Sequence, residues 1–374
     1  MTMKKRKVVI TGVVGFMGSH LRDRLSREQD IEVLPFEDAF FNEPSALRAV
    51  LKEADVVVHL AAMNRGDEND IYNTNIELVK KLVGAIDSLN IRPHIIFSSS
   101  TQVYLNNPYG HSKKEGERIL EEWSEKSDAS VTVLVIPNVF GDGGRPFYNS
   151  VVATFCHLLT SGGKPEVQVD KELNLIYINE LTEIFWDRMK NPPVGFERVD
   201  VKATATAKVT QILALLNHFK ECYYDKKIVP LLADGFEKNL YNVFLSYVES
   251  AGYEQPLTLR TDDRGSLFEV VKEERGSQVF FSTTKPGIIR GNHYHTRKME
   301  KFCVVKGKAV IRLRRIGTNK IIEYRVCGDK PVVVEMPIFY THNIENVGDD
   351  KICTLFWTNE IFNPNDSDTF FEKV

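Results

Sequence analysis

Tyr109 and Lys113 stand four residues apart in NPYGHSKKEGER, at the start of a stretch with helical period. That separation puts both side chains on one helix face. A free phenol, with a pKa near ~10, exchanges protons poorly at neutral pH. A lysine ammonium about 4 Å away, at an effective dielectric of about 20, favours the phenolate by up to about 4 kcal/mol. Such a pair has the makings of an acid–base catalyst. An isolated Y-x-x-x-K also occurs in ordinary amphipathic helices, so its meaning depends on what precedes it. Gly12, Gly15 and Gly18, in TGVVGFMGSH, follow an apolar run and open a helix. Glycines there permit a tight turn and let the backbone approach a pyrophosphate resting on the helix N-terminus. Far downstream, His293 and His295 are two apart in a strand-like segment, so both imidazoles point to one face. Glu300 can join them from the next strand across a turn.

These groups need elements to hold them. In the first half, apolar runs at Val8–Thr11, Ile31–Leu34, Ala54–Ala61, Ile95–Ser98 and Val131–Ile136 alternate with longer amphipathic stretches. Runs without polar alternation suit parallel strands covered on both faces, which predicts a doubly wound α/β sheet. From about Leu257 the pattern changes to short strands rich in Val, Ile, Phe and Tyr separated by Gly, Asp and Asn turns. That favours an all-β barrel or sandwich. Helical patterns across 205–250 are placed with the first domain, giving expected domains of 1–254 and 255–374.

The 374 residues, 43% hydrophobic and 26% charged, have the balance of a globular protein with room for two or three domains. A net charge of −3 provides no basic field for nucleic acid or anionic membrane. The basic cluster Lys4 to Lys7 reads as a solvated lead-in to a strand. Five cysteines with no CxxC pair point to free thiols in a reducing compartment, and no run approaches a membrane span. The expectation is a cytoplasmic protein without nucleic-acid or membrane partners.

The glycine spacing G-x-x-G-x-x-G, with Tyr109 and Lys113, resembles the extended short-chain dehydrogenase/reductase family. The resemblance implies a Rossmann-type sheet. It also implies a nicotinamide dinucleotide held by Gly12, Gly15, Phe16, Met17, Gly18, Tyr109, Lys113 and the HLAA residues Leu60, Ala61 and Ala62. In FSSSTQVY it makes Ser100 the hydroxyl that holds the substrate oxygen beside Tyr109. Asn75 falls where the family carries a helix asparagine, a place that a capping or buried structural role also suits. Thr101 and Gln102 replace the Asp-Glu pair of the family's dehydratases, which favours keto/hydroxyl chemistry over water elimination. Asn138 resembles a sugar-nucleotide contact, although Val135 and Ile136 stand where the family has an arginine. Arg145, Tyr148 and Asn149 are implied to flank the nucleotide-sugar pocket. Glu37 and Asp38, after the second strand, leave NAD and NADP both open.

The segment GIIRGNHYHTRKMEKFCVVKG fits the first cupin motif, G-x5-H-x-H-x4-E-x6-G, and PIFYTHNIEN resembles the second, which adds His342. Three imidazoles and a carboxylate suit zinc, with manganese, iron and nickel also open. One departure is Phe339, where the second motif has glycine; a different turn there would shift His342.

Reductase followed by cupin resembles the bifunctional UDP-2-acetamido-2,6-beta-L-arabino-hexul-4-ose reductase family along nearly the whole chain, through NSVVATFCH, DDRGSLFEV, THNIEN and NEIFNPNDSDTFFEKV. The resemblance implies a homodimer acting on a UDP-sugar in surface polysaccharide synthesis. The cupin would epimerise carbon 3 of a 4-keto sugar, and the reductase would then reduce the ketone with NADPH to a talose derivative. The ketone acidifies the neighbouring carbon, and a nearby metal favours loss of that proton. Tyr294, Lys301, Tyr340 and Glu345 are the candidate bases. The rival readings are a plain reductase whose cupin only dimerises or binds substrate, and a dinucleotide-binding scaffold without catalysis.

Overall fold

The computed structural model describes residues 5–249 and 252–374; Lys4, at the head of the basic cluster, lies outside them. The chain divides into two compact units, Met1–Leu216 with Asp234–Tyr247, and Asn217–Ala233 with Val248–Val374.

In the first unit β1 (Arg6–Thr11), α1 (Phe16–Leu25), β2 (Ile31–Val33), α2 (Pro44–Leu51), β3 (Val56–His59), α3 (Glu68–Ser88), β4 (His94–Ser100), α4 (Pro108–Ser127) and β5 (Val131–Ile136) alternate along the chain. They are followed by β6 (Asn138–Phe140), α5 (Val151–Thr160), β7 (Glu172–Tyr177), α6 (Ile178–Lys190), β8 (Phe196–Asp200), β9 (Ala205–Lys208), α7 (Val209–Lys220), whose last turn from Asn217 is counted with the second unit, and α8 (Gly235–Ser246). Six strands form one parallel sheet in the order β2-β1-β3-β4-β5-β8. Every residue of β3 and β5 is buried, as their unbroken apolar runs require. One face packs Val9, Val57, Ile95, Phe97 and Val133 against Leu47, Val79, Leu82, Leu120 and Trp123 from the helices. The strand order reverses between β1 and β3, so the loops that follow these strands open at the switch point where α/β sheets bind ligands. A second sheet, β6-β7-β9, has no counterpart in the sequence reading. Its strands are only three to six residues long and carry little periodic signal.

The second unit is antiparallel throughout its two main sheets. Its strands are β10 (Arg260–Asp262), β11 (Gly265–Lys272), β12 (Gln278–Thr284), β13 (Ile289–Tyr294), β14 (Glu300–Lys306), β15 (Lys308–Arg315), β16 (Ile321–Cys327), β17 (Val333–Met336), β18 (Tyr340–Asn346), β19 (Ile352–Thr358) and β20 (Phe370–Phe371). One sheet runs β10-β11-β12-β19-β14-β17 and the other β16-β15-β18-β13-β20. Alternation decides what lies between them. Ile311 and Leu313 join Phe302, Val304, Met336, Ile344 and Phe356 in the core, whereas Arg312 turns outward to Glu323 and Glu345.

The segment 217–233 belongs to this second unit. It carries a π-helical turn, Glu221–Lys226. Its Val229 N–H donates to Lys272 O at 2.8 Å, and Glu274 N–H donates to Val229 O at 2.9 Å. Helical periodicity alone had placed it with the first domain, because the pattern of a helix does not show which neighbour it packs on.

Candidate functional site

At the switch point, Gly12 has φ +68°, and a Cβ there would come within 3.0 Å of the Ala61 nitrogen. A Cβ at Gly18 would overlap the Gly12 carbonyl oxygen, so α1 can start against this loop only with glycine in its first turn. Phe16 and Met17 occupy that turn, half-buried. The Thr11 hydroxyl ties the two loops together. It accepts from the N–H groups of Leu60 (3.2 Å) and Ala61 (3.1 Å) and lies 2.8 Å from His59 Nδ1. With two donors already on its oxygen, the hydroxyl gives its own proton to Nδ1. Burial accordingly pushes His59 down to about 3, keeping the ring neutral. Ala62 continues this loop. Asp38 closes its far side by accepting from Gly12 N–H at 3.2 Å. Of the two acidic candidates after β2, Asp38 is thus the one that reaches the glycine loop.

Asn107 caps α4, accepting from Gly110 N–H at 2.8 Å, with Pro108 at the first helical position. This sets Tyr109 in the first turn and Lys113 one turn on, facing the end of β4. The Lys113 ammonium is buried, donates to Ser98 O at 2.8 Å, and lies 5.7 Å from the centre of the Tyr109 ring. The sequence led us to expect an ammonium that lowers the tyrosine pKa. In the folded protein burial acts on both groups. Burial, with Tyr148 adding to it, pushes the Tyr109 phenol up to about 12. Burial also brings Lys113 down to about 7 against the pull of Glu117. Desolvation is thus the leading cause at both groups. Glu117, one turn beyond Lys113, accepts from the Ser99 hydroxyl and from Arg198 Nε at 2.9 Å, a buried network that the sequence did not reveal. Ser100 ends β4 and begins a 3-10 turn, its hydroxyl accepting from Gln102 N–H at 3.3 Å.

Asn75 takes a structural part. Its side chain holds both backbone groups of Met63, at 2.7 and 2.9 Å, and donates to the Ser112 hydroxyl of α4 at 2.9 Å. Of the substrate candidates, Arg145, Tyr148 and Asn149 cluster. The Arg145 guanidinium lies 5.3 Å from the Tyr148 ring centre, and the Tyr148 hydroxyl bonds Asn64. Arg65, which the sequence reading missed, stacks 4.7 Å from the same ring and donates to Asn149 Oδ1 at 3.0 Å and to Phe147 O at 2.9 Å. Asn138 lies apart on β6, donating to Asn174 O at 3.2 Å.

In the second unit His293, His295, Glu300 and His342 converge, with their ligand atoms within 4.8 Å of one another. A bulge at Asn292 (φ +59°) resets the β13–β18 register so that His293 faces His342. Glu300 Oε2 lies 3.3 Å from His295 Nε2 and 3.2 Å from His342 Nε2. The opposite ring nitrogens are fixed by backbone: His295 Nδ1 donates to Asp368 O at 2.5 Å, and His342 Nδ1 to Tyr340 O at 3.2 Å. Those bonds leave each Nε2 as a lone pair pointing at the carboxylate. None of the three facing atoms has a properly formed hydrogen bond, although all are buried. Buried lone pairs converging in this way, with backbone-held second nitrogens, fit a divalent metal.

Phe339 settles the question raised by its missing glycine. It takes φ +60° itself, donates its N–H to His295 O at 2.8 Å, and so keeps the turn that delivers His342. A cavity of about 520 Å³ opens on His293, His295 and Glu300 and is also lined by Arg260, Asp262, Glu269 and Arg290. None of the four expected bases is among its lining residues. Tyr294 and Lys301 alternate away from the ligands on their strands, where they meet Phe370 and Glu335. Glu345 pairs with Arg312, and Tyr340 packs on the core.

Residues 8–198 match the NAD dependent epimerase/dehydratase family, and residues 260–370 match the polysaccharide biosynthesis C-terminal domain. Across 97% of this chain and 98% of the other, the sequence is 32% identical to UDP-2-acetamido-2,6-beta-L-arabino-hexul-4-ose reductase of Pseudomonas aeruginosa. The chain belongs to this reductase family. The crystal structure of the capsular polysaccharide assembling protein CapF from Staphylococcus aureus superposes with a TM-score of 0.85 at 36% identity, covering 98% of this chain and all of that one. RMD from Pseudomonas aeruginosa, solved with NADPH, shares the fold of the first part at 16% identity, with a TM-score of 0.56 over 65% of this chain and 99% of that one. As family membership requires, the first unit is a Rossmann-type nucleotide-sugar reductase of the extended short-chain type, and the second has the family's all-β cupin fold. Among the described residues, no helix is long and apolar enough to cross a membrane.

Proposed function

We propose that the chain is a bifunctional sugar-nucleotide enzyme. The cupin inverts carbon 3 of a UDP-2-acetamido-2,6-dideoxy-4-keto-hexose, and the reductase then reduces the ketone to the UDP-2-acetamido-2,6-dideoxy-L-talose. The observations that carry this reading, in one chain of that family, are Lys113 packed between the Tyr109 ring and the end of β4, the strand that closes on Ser100, and a His293–His295–Glu300–His342 cluster whose first three members open on a sugar-sized cavity. In the first site the dinucleotide supplies hydride to carbon 4. Ser100 holds the ketone oxygen, and Tyr109 gives it a proton. Lys113 and the Ser98 carbonyl hold α4 against β4 so that the phenol stays in place. Arg65 and Arg145, both against the Tyr148 ring, are cations available to the substrate diphosphate.

In the second site a divalent metal, zinc in the first instance, supplies a positive charge that favours proton loss beside the ketone. His293, His295, Glu300 and His342 hold it. Asp262 and Glu269, which line the cavity outside the ligand set, replace the four expected residues as proton acceptors. The family resemblance implies NADPH. The Asp38 carboxylate beside Gly12 suits the ribose hydroxyls of NAD, so both cofactors belong in the assay. A cytoplasmic homodimer completes the reading, with five free cysteines and an exposed Val333 on the edge strand β17 as its supports.

The experiment mixes protein, keto-sugar and NADPH or NADH, follows absorbance at 340 nm and identifies the product by NMR. A talo product supports both steps. Oxidation of the cofactor without inversion favours a second reading, in which the cupin only binds or dimerises. No oxidation with either cofactor counts against the reductase assignment.

A further inference from the structure

We infer that His218, Cys222 and Glu274 form a second metal site, separate from the cupin cluster, that takes a zinc-like divalent ion through one nitrogen, one sulfur and one carboxylate oxygen. All three residues belong to the second unit, and their ligand atoms lie within 4.8 Å of one another. His218 and Cys222 are four residues apart at the end of α7 and in the π-helical turn that continues it, so their side chains share a face. Single π-turns within helices recur at functional sites. Glu274 comes from the loop between β11 and β12, which the Val229 backbone bonds already hold against this segment.

The distances are those of shared coordination. Cys222 Sγ lies 3.6 Å from His218 Nε2. With zinc bonds of about 2.3 Å to sulfur and 2.0–2.1 Å to nitrogen, a tetrahedral angle places these atoms about 3.6 Å apart. His218 Nε2 and Glu274 Oε2 are 2.9 Å apart, where coordination calls for about 3.3 Å, a shift of a few tenths of an ångström. The same nitrogen is approached by both partners, and one proton cannot serve both. Protonated, it donates to Glu274 and leaves the thiol no acceptor there; unprotonated, it takes the thiol proton and faces the carboxylate with a lone pair. A cation replaces the thiol proton, which is released, and satisfies all three groups at once. Leu231 N–H donates to Glu274 Oε2 at 2.8 Å, which holds the carboxylate beside His218. Cys222 is buried and Glu274 reaches solvent, so the ion enters from the glutamate side and water completes its shell. Bound there, it clips the 217–233 segment to the β11–β12 hairpin.

Cobalt substitution separates this site from the cupin cluster, which has no sulfur ligand. Full-length protein is stripped with chelator, loaded with Co²⁺ and scanned from the near ultraviolet through the visible. The inference predicts a near-ultraviolet thiolate-to-cobalt charge-transfer band that is lost in C222S while the visible bands of the cupin site remain. E274Q retains the thiol and keeps a side-chain oxygen to accept from Leu231 N–H. It should keep the band but need more Co²⁺ to reach it, by tenfold or more, since second-shell changes alone cost about tenfold. No band in the native protein, or a band that survives in C222S, overturns the inference. Should C222S fail to fold, the native spectrum and the E274Q titration still decide it.

Discussion

Tyr109 works as an acid only while it carries its proton, and the buried setting that raises it to about 12 keeps it protonated across the pH range of an ordinary assay. Tyr109→Phe removes that proton alone. We expect ketone reduction to fall by about 10²–10⁴-fold, with the variant's fold, followed by circular dichroism, unchanged. Lys113 makes a prediction with a definite sign. Its folded value is about 7 against the usual lysine value of 10.5, so between those pH values the unfolded chain binds more protons than the folded one. Stability contributed at this site is therefore full above pH 10.5 and is lost as pH falls through 7. Urea midpoints of the native protein and Lys113→Met at pH 7 and pH 9.5 should show a native gain with pH that the variant lacks. Equal pH dependence in the two proteins would contradict the assignment.

Turns and strand ends make the next scale. Gly18 allows α1 to begin against the Gly12 carbonyl, so Gly18→Ala has to push the loop open. The variant should stay folded by circular dichroism and lose dinucleotide binding by calorimetry. Phe339 holds a left-handed backbone conformation that glycine adopts without strain. Replacing it with alanine or glycine removes the same largely exposed ring, and the two variants then differ in backbone alone. Phe339→Gly should be more stable than Phe339→Ala by about 1 kcal/mol, the left-handed penalty less the extra entropy that glycine loses. Thermal melts of the pair measure that difference. The sequence marked Phe339 as a departure from its motif. It did not show that the chain would accept the strain and keep His342 in place.

Across the whole molecule, what could be read in advance was whatever local spacing encodes. Gly12, Gly15 and Gly18 declare a loop, Tyr109 and Lys113 a helix face, and His293 and His295 a strand face. The apolar runs of β3 and β5 announced a sheet covered on both sides. Partners distant in sequence stayed hidden: Asp368 orients His295 from 73 residues away, and Arg65 reaches Asn149 across 84. Desolvation stayed hidden as well, and it is the leading cause at both Tyr109 and Lys113. Two of the four expected bases were avoidable, since strand alternation already turns Tyr294 and Lys301 away from the ligands.

The claim that unites both units is that the cupin moves a proton, and it is tested without the reductase taking part. The keto-sugar is incubated with the protein in deuterated water, with no nicotinamide cofactor, and carbon 3 is watched by NMR. Deuterium should enter carbon 3 with the native protein and with Tyr109→Phe, and should fail to enter with His342→Ala or after chelation. Absence of exchange with the native protein would contradict it and leave the cupin as a binding domain fused to a reductase.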